Sequence, residues 1–264
     1  MSALSLSAAT ATSHAPRVVE APATGGYRVQ LARSAAEIDA AQRLRFEVFN
    51  LELGEGLAGS YASARDADEF DAVCDHLIVS AEDSGRVVGT YRLQTGEMAG
   101  RGLGYYSERE FDFAPYEPLR AQLVELGRAC VQAEHRSFAV LSLLWRGIAA
   151  YAQARGARYL VGCSSIHTRD ERVGAAAWQR LAVHAAEPPL LTTPQPGLAC
   201  ALAEAGAPPQ IPRLLTAYLA LGARLCAPPA IDRAFGTVDF LTWLDLEASG
   251  VTAGRRRSRF VSRA

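Results

Sequence analysis

Lysine is absent from this chain: all 27 basic residues among its 264 are arginine. That excludes a lysine nucleophile or a lysine Schiff base. Net charge is nearly absent as well, at a formal −1, so no global positive field marks a nucleic-acid partner. No apolar run approaches the roughly 18 residues needed to span a bilayer. The longest candidates, around Phe138–Tyr151 and Leu214–Leu225, are each broken by an arginine. Cysteine is sparse. Cys74, Cys130, Cys163, Cys200 and Cys226 are scattered, odd in number and without CxxC spacing. A disulfide framework or a zinc site is therefore not expected, and a reducing cytoplasm is the natural compartment. No HExxH, GxSxG or P-loop occurs, which removes zincins, α/β-hydrolases and P-loop NTPases.

What is present is a large apolar fraction, 49%, enough for a sizeable core. Residues 1–26 are rich in Ala, Ser, Thr and Pro and lack a charged start and apolar h-region, so they read as a disordered leader. Residues 27–247 read as one domain, and residues 248–264 as a basic disordered tail. Within the domain, Tyr27–Ala32 alternates like a first strand. Ser34 and Glu37 form a capping box for a helix running to Leu53, stopped by Gly54-Glu55-Gly56. His76–Glu82 and Arg86–Gln94 make a hairpin around Asp83-Ser84-Gly85. Tyr105–Phe113 is expected as an irregular strand and Leu123–Val131 as a regular one. A helix over Phe138–Arg155 ends at Gly156, followed by a buried strand Tyr159–Ile166 and a helix Asp170–His184. The end reads as helix Arg213–Gly222 and strand Thr237–Leu246. Helices alternating with strands after a meander imply an α/β fold with a mixed, mostly antiparallel sheet and helices on its faces.

Charges inside apolar strands mark the candidate site. Glu125 and Arg128 interrupt Leu123–Val131 with Gly127 between them, and a bulge at Gly127 would turn both toward one cleft. A structural ion pair is the equally open alternative. Arg92 interrupts the second hairpin strand, either as a site residue or as a solvated edge charge. Arg45 and Phe49 lie one helical turn apart and present a cation and a ring, or simply surface and core. Asp66, Asp68, Asp71 and Asp75 form an acidic loop without the calcium-loop pattern. It reads as solvated, or as a clamp for a cationic substrate.

At these segments the chain resembles the acyl-carrier-protein-dependent N-acyltransferases of ornithine lipid synthesis, and more distantly the acyl-homoserine lactone synthases. The carrying stretches are LRFEVF (Leu44–Phe49), FDAVCDHLIV (Phe70–Val79), VGTYRL (Val88–Leu93), YYSEREF (Tyr105–Phe111), ELGRACV (Glu125–Val131), LLWRGIAAY (Leu143–Tyr151), YLVGCSS (Tyr159–Ser165) and PRLLTAYLALG (Pro212–Gly222). They follow the expected order, and the resemblance covers roughly Tyr27 to Leu246. The resemblance implies a GNAT-like fold in which a thioester's pantetheine arm enters where two strands splay. It implies Glu125 and Arg128 as catalytic residues, with Arg45, Phe49, Asp68, Asp71 and Arg92 binding substrate. The loop Gln132–Ala139 (QAEHRSFA) holds no glycine, unlike the pyrophosphate-gripping loop of acetyl-CoA-using relatives. The implied donor is then the phosphopantetheine arm of an acyl carrier protein, with Arg136 meeting the carrier or its phosphate. No bound cofactor or metal is expected. The acceptor is expected to be a small amino acid, and the arginine-rich tail Arg255–Phe260 is a candidate for peripheral contact with the inner membrane face.

Overall fold

The computed structural model describes residues 21–250. The tail Arg255–Phe260 lies outside them. Among the described residues no helix is long and apolar enough to cross a membrane.

Among the described residues, nine strands form a single sheet: β1 (Ala21–Thr24), β2 (Tyr27–Leu31), β3 (Asp75–Ala81), β4 (Val87–Thr95), β5 (Leu123–Val131), β6 (Tyr159–His167), β7 (Arg224–Leu225), β8 (Ala230–Asp232) and β9 (Thr237–Asp245). Their order is β1-β2-β3-β4-β5-β6-β9-β7, with β8 also on β9. Every pairing is antiparallel except β5 with β6. A parallel neighbour requires a crossover, and helix Phe138–Ala154 lies in that connection. The expected leader boundary at Gly26 is corrected: Ala21–Thr24 already pairs with β2. Gly25 and Gly26 both take positive φ, 62° and 80°, which closes this turn.

Helix α1 (Ala35–Arg45) begins at the Ser34–Glu37 capping box, as expected. It does not continue unchanged to Leu53. Phe46–Leu53 is wound as a π-helix, ending on Gly54 with φ 68°. The other long helices are α2 (Phe138–Ala154), α3 (Glu171–Leu181) and α4 (Arg213–Ala220).

Strand alternation divides the core between the two faces. Val124, Leu160 and Leu244 pack with Leu77, Val79 and the α2 residues Leu143, Leu144 and Ile148. Leu123, Val161, Leu241 and Trp243 point the other way, onto Tyr105, Phe111, Phe113 and Tyr116.

The expected strand over Tyr105–Phe113 is corrected too. Tyr106–Arg109 is a 3₁₀ turn, and only Phe111 makes a bridge, to Pro194. The cause is tertiary. The backbone N–H groups of Tyr106 and Ser107, free at the start of this turn, both donate to the Glu125 carboxylate from β5.

Candidate active site

Between β4 and β5 the ladder slips. Arg92 faces Gly127 and Thr90 faces Cys130, so Arg128 and Ala129 together oppose Tyr91. This is the bulge anticipated from Gly127, but the strained residue is its neighbour: Arg128 has φ 49°. On the other side, β5 pairs with β6 only from Leu123–Tyr159 to Glu125–Val161. Where the pairing stops, Leu126 carbonyl oxygen approaches Gly162 so closely that a Cβ there would lie 2.2 Å from it. Beyond that contact the strands separate. A cavity of about 260 Å³ opens there, bordered by Glu125, Gly127, Arg128, Arg92, Phe49 and Asp239, among others.

The arginines form one buried network with the acidic loop. Arg45 is fully buried; it donates to the Asp66 carbonyl and pairs with Asp71 at 2.6 Å. Arg92 meets Asp68 and, at 3.1 Å, Asp71. Arg128 reaches Asp68 at 3.1 Å and Asp66 at 3.2 Å, and stacks on Tyr106 and Phe235. Three guanidinium groups thus neutralise three carboxylates. Burial works against the Asp71 carboxylate, yet Arg45, with Arg92, holds its carboxyl well below the usual range. Burial also opposes the Arg128 charge, but Tyr106, Asp66 and Asp68 keep it firmly protonated.

Glu125 is 5% exposed and accepts the Tyr106 and Ser107 N–H groups, each at 2.8 Å. Burial raises its pKa; the Ser107 and Tyr106 donors and the Arg92 charge only partly oppose that rise. The cysteines near the cavity are poor thiolates. Burial pushes Cys74 up to about 12 and Cys163 well above its ordinary value.

A GNAT acetyltransferase domain family matches residues 44–146. An L-ornithine N(alpha)-acyltransferase from Brucella abortus is 35% identical over 259 residues, covering 90% of this chain and 88% of the relative. The protein of the same name from Rhodobacter capsulatus is 35% identical over 235 residues, covering 84% and 91%. The chain belongs to the L-ornithine N(alpha)-acyltransferase family. It is an acyltransferase, with an acyl donor and an amine acceptor as its substrates. In fold it is similar to an N-acyl amino acid synthase from uncultured soil microbes, with TM-score 0.52, 14% identity, and coverage of 86% and 95%. A CoA-dependent acyl-homoserine lactone synthase solved with SAM and isopentyl-CoA gives TM-score 0.51, 14% identity, and coverage of 86% and 87%.

In this acyltransferase the expected residues converge, though not in one layer. Glu125, Arg128, Arg92 and Phe49 border the cavity, whereas Arg45, Asp68 and Asp71 do not. The latter three stand behind it and fix the positions of Arg92 and Arg128. Asp68 and Asp71, expected as an anionic clamp, are both ion-paired with arginines. Arg136 sits apart at the surface, held by Glu52 of the π-helix through contacts of 2.6 and 2.7 Å. Sequence reasoning missed Tyr106, Cys163, Asp232 and Asp239 on the cavity wall. Asp239 was detectable by the signal that found Glu125, a charge inside an apolar strand (TVDFLTWLD).

Proposed function

We propose that this enzyme transfers a 3-hydroxyacyl group from an acyl carrier protein to the α-amine of ornithine, giving a lyso-ornithine lipid. The observation that carries this reading is the cavity at the splay of β5 and β6. It has a buried carboxylate on one wall and two arginines beside it. The names of the relatives support ornithine as acceptor.

The acceptor amine is protonated at neutral pH and must lose a proton before attacking a thioester carbonyl. Glu125 takes that proton, directly or through one water. Its raised pKa makes it a better base than an ordinary carboxylate. The nitrogen lone pair forms the C–N bond, the tetrahedral oxyanion is met by backbone N–H groups of the splayed strand, and the carrier thiol leaves with a proton. Arg92 or Arg128 receives the acceptor's α-carboxylate. The raised thiol pKa values of Cys74 and Cys163 favour this direct attack over an acyl-cysteine intermediate. The product is amphiphilic, and the tail Arg255–Phe260 is proposed to hold the enzyme near anionic lipid.

Incubating the purified protein with 3-hydroxyacyl carrier protein and a panel of amino acids, followed by mass spectrometry, tests this. Acylornithine should dominate; acylation of homoserine-type or neutral acceptors instead would overturn the acceptor assignment.

Arg136, within the glycine-free loop Gln132–Ala139, is proposed to contact the carrier or its phosphate. Arg136→Glu should raise KM for acyl carrier protein about tenfold, since reversing a rim charge acts on encounter with an acidic partner. Unchanged carrier kinetics would remove Arg136 from the donor site.

A further inference from the structure

Strand β9 carries a charge where its apolar sequence should have none. Asp239 stands between Val238 and Phe240, is 3% exposed, and borders the cavity. Glu110, 4% exposed, lies against it. The two carboxylates and the Cys163 thiol place atoms within 4.8 Å of one another. Neither Asp239 Oδ1 nor Glu110 Oε1 has a hydrogen-bond partner. Among the described residues, no arginine or histidine forms an ion pair with either carboxylate, in contrast to Asp66, Asp68 and Asp71.

A buried carboxylate without a counter-charge is costly, and two side by side also repel. Burial first, and then the neighbouring Asp239, raises the Glu110 pKa; burial likewise raises that of Asp239. Two carboxylates this close resist ionising together, and a cation seated beside them relieves that repulsion.

The pair's position says which cation. Ser107 donates its N–H to Glu125 at 2.8 Å, and its hydroxyl accepts from the Cys163 thiol at 3.4 Å. The same thiol meets Glu110 at 3.6 Å. Ser107 and Cys163 thus span from the carboxylate at the site of chemistry to the acidic pair. Farther along the same wall, Asp232 accepts the Tyr106 hydroxyl at 3.1 Å and also lacks a cationic partner among the described residues.

We propose that the Glu110–Asp239 pair seats the terminal ammonium of the acceptor's side chain, with Asp239 in contact and Glu110 behind it. The proposal rests on the ornithine reading above and deepens it. The α-carboxylate lies on the arginine side of the cavity, the side-chain ammonium on the acidic side, and the α-amine between them near Glu125.

The test compares ornithine with norvaline, which has the same carbon skeleton without the terminal amine. The native enzyme should prefer ornithine in kcat/KM. In Asp239→Asn the preference for ornithine over norvaline in kcat/KM should fall about 10–100-fold, as for loss of a hydrogen bond to a charged group. Glu110→Gln should show a smaller shift in the same direction. Native turnover of ornithine with its preference intact in both variants would overturn the subsite and leave the acceptor reading standing. Failure of the native enzyme to acylate ornithine would instead refute that reading. The subsite is then decided by 1,4-diaminobutane: it should raise the melting temperature of native protein but not of Asp239→Asn, and equal shifts would overturn it. Stoichiometric metal in the purified protein, lost in Asp239→Asn, would also overturn it.

Discussion

Glu125→Gln is expected to lower kcat/KM for acyl transfer about 10²–10⁴-fold, the usual size of general-base help. The amide matches the carboxylate in shape and keeps one oxygen to accept from Tyr106 or Ser107, but it cannot take a proton from the amine. Some loosening of the 3₁₀ turn is expected as well, because two backbone donors now share one acceptor. The pH dependence separates the two effects. Burial raises the Glu125 pKa from its ordinary 4.5, and the reaction needs the ionised form. Native kcat/KM should therefore fall on the acid side at a pH above the usual carboxylate range. Glu125→Gln should lose that limb, whereas a purely structural defect would lower the profile without changing its shape. Cys130→Ala serves as the control, since burial pushes that thiol far up and direct attack does not use it. A Glu125→Gln enzyme within a few-fold of native rate would sink the assignment.

Arg45→Met should destabilise the fold by about 3–5 kcal/mol, the typical cost of removing one partner from a buried ion pair. Arg45 is fully buried, and without it the arginines left are, among the described residues, Arg92 for Asp71 and Arg128 for Asp66. Methionine fills much of the space, so the loss is electrostatic rather than a cavity. The sign with pH follows from Asp71. Its native carboxyl titrates well below 3.8, so its contribution is present above that value and lost only as pH falls through the depressed native value. In Arg45→Met the leading opposition to burial is gone and the Asp71 carboxyl titrates higher. The gap between native and variant should then narrow as the solution is acidified. Urea denaturation at neutral pH and at pH values within the ordinary carboxylate range measures both, and a gap that widens on acidification would contradict the account.

Most of the framework is legible in the sequence alone. The capping box at Ser34, the hairpin on Gly85, the strands over Leu123–Val131 and Tyr159–Ile166 and the apolar helix over Phe138–Arg155 all rest on period and local turn chemistry. Two segments resisted. Phe46–Leu53 has helical spacing, and sequence period alone does not separate α from π winding. Tyr105–Phe113 has the aromatic content of a strand, but its backbone donors go to a carboxylate eighteen residues further along the chain. No local signal announces such a contact.

The candidate site divides along the same line. That Glu125, Arg128 and Arg92 are unusual follows from sequence, because a charge in an apolar strand must be compensated wherever it lands. Which charge compensates which depends on contacts between residues far apart in the chain. Arg45 reaches Asp71, Arg128 reaches Asp68 across sixty residues, and Asp239 meets Glu110 with no arginine paired to either among the described residues. Local pattern and composition thus determined the elements, their order and the positions of the strained charges. Only the tertiary structure decided which carboxylates are neutralised by arginine and which are not, because ion pairing depends on distance in space and not on separation along the chain.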